Sequence, residues 1–164
     1  MKIWNKFAIL ATASLVSSAI YAKSQVEHQV HVAGPDTPVL CEEGDSSCDK
    51  NFSLTAIVMS DGSVKGQYVD RFAGESKGFS AQIDCVSIND NKAWLSGIIK
   101  NGDYAGIEDS IGRRVATFVA DNGKNNEAPF DQISFSYLVN DNFDCFSQPD
   151  WPLMDMPKGQ VNIK

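Results

Sequence analysis

From Phe52 onward, apolar and polar positions alternate singly along the chain. Phe52, Leu54, Ala56 and Val58 are interleaved with Ser53 and Thr55, the period-two pattern of a strand with one covered face. Ser60-Asp61-Gly62 then reads as a hairpin turn, because glycine tolerates the positive φ of tight turns. Val64 to Phe72 resumes as a strand with Tyr68 and Phe72 on one face, and the stretch from Gly74 to Gly78 turns the chain. Phe79, Ala81, Ile83 and Cys85 share the next apolar face, opposite Ser80, Gln82 and Asp84. After the turn Asn89-Asp90-Asn91, residues Ala93 to Ile99 are apolar on both faces, as expected of a central or doubly covered strand. Residues 101–111 are rich in glycine and aspartate and predict one helical turn at most. Val115 to Ala120 is a further strand, and Asp121 to Pro129 a polar loop. Ile133, Phe135, Tyr137 and Val139 alternate with Ser134 and Ser136. Residues 141–157 read as irregular, with Pro152 and Pro157 breaking any helix, and Gln160 to Ile163 forms a last short strand that closes the sheet. The pattern predicts an all-β fold of about seven or eight short antiparallel strands, in a sandwich or a small barrel.

The first 22 residues have a different character. Lys2 and Lys6 precede an apolar run from Phe7 to Val16, and the small residues Ser17, Ala19 and Ala22 follow. The run is too short to span a bilayer, so residues 1–22 read as a signal peptide cleaved after Ala22, with Ala19 the alternative. No cysteine sits just after it to carry a lipid, and no membrane insertion of the mature chain is expected. Residues 23–51 are polar, with Pro35 and Pro38. They predict an extended arm that holds at most a short strand at Gln29 to Val32. Residues 52–164 then form the β-domain.

Charge and cysteine content narrow the setting. The formal charge is −7 and becomes −9 once the leader is removed, since that piece holds Lys2 and Lys6 and no acid. A negative surface repels phosphate backbones, so no nucleic acid is expected as a partner. The four cysteines, Cys41, Cys48, Cys85 and Cys145, follow an export signal in an even number, which predicts two disulfides and a periplasmic or secreted protein. Three pairings remain open. Cys41 with Cys48 is favoured because it closes the short polar loop EEGDSS, which leaves Cys85 with Cys145 to join distant segments.

The segments DGSVKGQY (61–68), IDCVSINDNKAWLSGII (83–99), VADNGKNNEAPFDQISF (119–135), DCFSQP (144–149) and GQV (159–161) together resemble a widespread set of small exported bacterial β-domains without an established activity. The resemblance spans roughly residues 61–161. It implies a Cys85–Cys145 disulfide and supplies no catalytic residues.

Most chemistries lack their parts. The histidines are His28 and His31, both in the arm, and no GxSxG elbow exists, so nucleophilic hydrolysis is not expected. His28-x-x-His31 is no HExxH motif, and neither a metal centre nor a resident cofactor is expected. Met154 and Met156 could offer thioethers to copper, but such a pair more often plugs gaps under a loop. The polar loop from Asp121 to Asp131 offers Asp121, Asn122, Asn125, Glu127 and Asp131, enough oxygen for calcium as the one candidate ion. Against that, Asp121-Asn122-Gly123 makes a turn, and Asp131 can accept bonds from backbone amides. A carboxylate-dependent hydrolase would draw on Asp70, Asp84, Glu108, Asp109 and Asp131. A small-ligand carrier would line a barrel cavity with Trp94, Phe118, Phe135 and Tyr137. The leading expectation is an exported, non-enzymatic β-domain for binding or structural work, with no identified partner. Its contacts would lie in residues 121–131 and 141–157, and the late aromatic residues Tyr137, Phe143, Phe146 and Trp151 would be available for stacking, although such residues more often fill a core.

Overall fold

A computed structural model describes residues 24–35, 51–71, 78–123 and 129–164. Ten strands form one antiparallel sheet: β1 (Val26–Gly34), β2 (Asn51–Met59), β3 (Val64–Arg71), β4 (Phe79–Asn89), β5 (Lys92–Gly102), β6 (Arg114–Ala120), β7 (Gln132–Ile133), β8 (Tyr137–Val139), β9 (Met154–Asp155) and β10 (Gln160–Ile163). Their order is β10-β1-β2-β3-β4-β5-β6-β7-β9, with β8 also on β6. The sheet curls into a half-barrel and the fold is all-β. The helical content among the described residues is two single 3-10 turns, Glu108–Ser110 and Cys145–Ser147.

The curl has a local cause in one row of paired residues. Reading across the strands, the row runs Ile163, Val30, Ala56, Gly66, Ile83, Gly97, Val115 and Leu138. Paired residues share a face, and this row lies within the main core. Its middle is small, so the backbones close in. A Cβ added to Gly66 would lie 2.5 Å from the Thr55 carbonyl oxygen, and one added to Gly97 would lie 2.2 Å from that of Gln82. No side chain fits there, and the two glycines flank Ile83 on the neighbouring strands, where the backbones approach closely.

Two strands change phase partway along. In β4 the pairing jumps from Ile83↔Gly97 to Cys85↔Ser96, so Asp84 is bulged. Beyond it, Val86 and Ile88 face the core and Cys85 faces out. The expectation that Cys85 continues the Phe79-Ala81-Ile83 face is therefore corrected. Similarly, β7 and β8 meet β6 one register apart, with Val119↔Ile133 followed by Ala116↔Tyr137. The single strand expected from Ile133 to Val139 is broken at Ser134–Ser136, and Ile133 and Tyr137 lie on opposite faces. The Ser134 hydroxyl takes over at the break by accepting from the Phe118 amide at 3.0 Å.

A further correction concerns the N-terminal segment. In place of a short strand in a loose arm, β1 is nine residues long and is paired on both sides, to β2 and to β10. Val30 and Val32 bury their side chains in the core. Residues 36–50, with Cys41, Cys48 and the loop they were expected to close, lie outside the described residues, as do Phe72 and the turn after it.

Outside the curl, residues 141–153 cover the outer face of β4, β5 and β6. Trp94 and Phe118 stack with centroids 4.5 Å apart, and Trp94 Nε1 donates to the Pro149 carbonyl at 2.9 Å. Phe143, Trp151 and Leu153 pack on this second cluster. Cys85 and Cys145 stand at its centre in a disulfide, Cα atoms 6.1 Å apart.

Candidate functional site

The residues singled out in the Asp121–Asp131 loop serve the fold. Asp131 Oδ1 accepts from the Asn122 amide at 2.8 Å, and Oδ2 accepts from the Val161 amide at 2.7 Å. Asp121 Oδ1 accepts from the Gly123 amide, and Oδ2 from the Ile163 amide at 3.0 Å. Val161 and Ile163 belong to β10, whose other edge pairs with β1. Two side-chain carboxylates thus stand where a neighbouring strand would, and they tie the two ends of the curled sheet together. Asn122 adds bonds from its side chain to the Phe130 carbonyl and to Gln132. Oxygen atoms committed to amide donors are poorly placed to wrap a cation. Asn125 and Glu127 lie outside the described residues.

Of the other acids, Asp70 and Asp84 are likewise engaged, and Asp109 lies exposed in the Glu108–Ser110 turn. Asp70 is buried, where the Tyr68 hydroxyl donates to it at 2.9 Å and the Ser136 hydroxyl at 3.2 Å. Beside it, Tyr104 donates to the Ser136 carbonyl, and burial raises its phenol above the usual range. Asp84, on the bulge, receives a two-pronged bond from Arg114, which also reaches Ser96. The carboxylate bonds hold the Arg114 guanidinium firmly protonated. No pair of these acids faces a shared cleft in the manner of a glycosidase.

The aromatic residues expected to line a cavity do not line one. Trp94, Phe118 and Tyr137 occupy the outer face of the sheet, and Phe135 is 44 % exposed. Tyr137 packs on Trp151 with centroids 4.6 Å apart, so these two expected stacking residues meet each other. The interior is filled by aliphatic side chains, among them Leu54, Ile83, Leu95 and Ile99, all at most 1 % exposed. Met156 is part of that core and reaches to within contact of Gly34 and Gly159, the gap-filling role expected of it. Of the His/Cys/Asp/Glu sets among the described residues, Cys85, Asp144 and Cys145 lie close enough to hold a metal, but the two sulfurs are bonded to each other.

Among the described residues, one concave feature suited to a ligand draws Phe146 from the late aromatic set, while the rest of its lining was not singled out as one site in the sequence. It is a cleft of about 290 Å³ lined by His28, Val58, Gly62, Val64, Asp84, Cys85, Val86, Ile88 and Phe146. It exists because β3 and β4 part company: their pairing stops at Gly66↔Ile83, while β4 runs on to Asn89 beside β5 alone. The bulge at Asp84 turns Val86 and Ile88 toward the cleft floor. The disulfide carries the turn Cys145–Ser147 to its rim, where Phe146 is 68 % exposed. An aromatic ring so exposed over an apolar floor is the residue here most suited to cover a ligand. The bulge at Asp84 that shapes this site shows only in the pairing of β4 with β5, and alternation along β4 alone hides it. No helix among the described residues is long and apolar enough to cross a membrane. Comparison with protein-family models, curated proteins and solved structures finds no match to this chain.

Proposed function

We propose that this chain is an exported, non-enzymatic binding domain that holds its ligand in the cleft between β3 and β4. The observation that carries this reading is Phe146, an exposed ring fixed by the Cys85–Cys145 disulfide over the aliphatic floor of Val58, Val64, Val86 and Ile88. A structural disulfide, an apolar leader and the resemblance to small exported bacterial β-domains support the compartment.

Nile red, a neutral apolar dye, tests the cleft. Saturable emission enhancement at one site is expected, weakened about fivefold or more by Phe146→Ser, because a rim aromatic carries a large share of such a contact. Failure of the dye to bind the folded protein, or binding untouched by Phe146→Ser and by the cleft-filling Val64→Trp, would overturn the assignment. Export is tested separately by intact mass: a mature chain starting at Lys23 with thiols protected from alkylation is expected. An uncleaved N-terminus with free thiols refutes it.

A further inference from the structure

Which backbone groups line the cleft follows from the ladder. The β4–β5 hairpin closes on Asn89↔Lys92 around Asp90-Asn91. In a two-residue hairpin the closing pair exchanges hydrogen bonds, and such pairs alternate along the ladder. Asn89, Ser87 and Cys85 therefore bond across to β5, while the N–H and C=O groups of Ile88 and Val86 point the other way. The neighbouring ladder agrees, since the Asp121 amide bonds the Asn91 carbonyl and so places Ala93 and Leu95 toward β6. On their outward side Val86 and Ile88 meet no strand, because β3 pairs with β4 only as far as Ile83. No hydrogen bond from any described residue reaches the outward-pointing groups of these two residues. Val86 is nevertheless 5 % exposed. Among the described residues, two N–H and two C=O groups thus face the cleft without a protein partner, whereas buried backbone groups in folded proteins are nearly always paired.

We infer that the ligand is an extended peptide segment that adds to β4 as an extra antiparallel strand, filling the gap that β3 leaves. This rests on the cleft reading above and names its occupant. Strand addition is a known route to peptide capture: main-chain bonds supply affinity, and alternate side chains supply choice. Here the residues opposite Val86 and Ile88 would face inward and must be apolar and modest in size, since the space is about 290 Å³. The residue opposite Ser87 would face outward beside Phe146.

Charge selects among occupants. Glu27 adjoins the lining residue His28, Asp61 adjoins the lining residue Gly62 and accepts from Ser63, and Asp90 lies at the tip of the β4–β5 hairpin. The nearby cations point elsewhere: Lys92 sits over the Phe118 ring, and Lys65 pairs with Ile57 on the outer face. Asp84 is already matched by Arg114. The fitting segment is therefore apolar at alternate positions with a basic residue at its end. A second copy of this chain, itself at a formal charge of −9 once residues 1–22 are removed, is the poorer match.

The probe is the acetylated, amidated peptide KVTVTVK, titrated into the oxidised full-length mature protein and followed by amide hydrogen exchange. Binding with new protection at the Val86 and Ile88 amides is expected. N-methylation of the peptide's valine nitrogens keeps its side chains and charge but removes the pairing donors, and should weaken binding by tenfold or more. Ile88→Pro removes an amide outside the β4–β5 ladder and should do the same. Exchanging the terminal lysines for glutamates should weaken binding several-fold at low salt. If Nile red binds but the peptide does not, or the methylated peptide binds as tightly as its parent, strand addition is refuted while the cleft survives. If the protein instead self-associates and Ile88→Pro abolishes it, the occupant is a second copy and the basic peptide is overturned.

Discussion

At the scale of single residues, this molecule rests several backbone amides on buried or half-buried carboxylates. Asp131 serves two, and one of them is on β10. Replacing Asp131 with alanine leaves the Val161 amide buried without an acceptor. A loss of about 2–3 kcal/mol in unfolding free energy by urea titration is expected, because a bond to a charged acceptor and the cost of an unpaired donor add together. Asp131→Asn keeps one acceptor oxygen and should lose about half as much. Tyr104 gives a pH-dependent counterpart. Its phenol is raised above the usual 10.0 by burial, so the neutral form is favoured in the folded state. The corresponding stability is complete below pH 10 and is lost as pH rises through the folded value. Tyr104→Phe, which removes the bond to Ser136, should destabilise by about 1 kcal/mol near pH 8. Above about pH 11 the gap between the two proteins should narrow, which paired urea titrations at the two pH values can check.

At the scale of elements, alternation carried most of the strand assignments. It failed where one inserted residue reversed it. The run Phe52–Val58 keeps one phase, so its inward face was legible from side-chain type alone, whereas Ala93–Ile99, apolar on both faces, showed only that both are covered. Cys85 and Tyr137 lie just beyond a register shift, and there the same pattern names the wrong face. The cause is physical: a bulge is chosen by backbone pairing with another strand, which a single strand's hydrophobicity does not record. The same blindness hid the cleft, since the bulge makes it. By contrast, the backbone role of Asp131 was legible, because a carboxylate flanking an Asp-Asn-Gly turn has amides within reach. A test at this scale is Gly97→Val. Its side chain would collide with the Gln82 carbonyl and Ile83, and the bend cannot relax without parting β4 from β5. More than about 3 kcal/mol of destabilisation is expected in thermal or urea unfolding. Arg114→Met, which frees Asp84 on the partly exposed bulge, should cost about 1 kcal/mol or less.

For the whole molecule, the Cys85–Cys145 bond joins two layers: the curled sheet and the segment that covers its outer face. The two cysteines are 60 residues apart, and closing a loop of that length restricts the unfolded chain by about 4 kcal/mol in the chain-entropy model. Unfolding of Cys85→Ala/Cys145→Ala should shift by about that amount relative to the oxidised protein. The cleft should suffer first, since that bond is the covalent tie between β4 and the turn carrying Phe146, leaving the Gln148–Ser87 hydrogen bond to hold the rim. Nile red binding should therefore weaken under mild reduction before the main-core amides of β2 lose their exchange protection.

The position of β1 carries a consequence for how the molecule is made. Being the first strand in the sequence, it lies between β2 and β10, the last. A ribosome delivers β1 long before β10, so its second ladder and the carboxylate ties at Val161 and Ile163 must wait until residue 163 has emerged. Until then the nascent sheet lacks the strand that joins its two ends. A protein built this way completes its sheet only when its last strand is made.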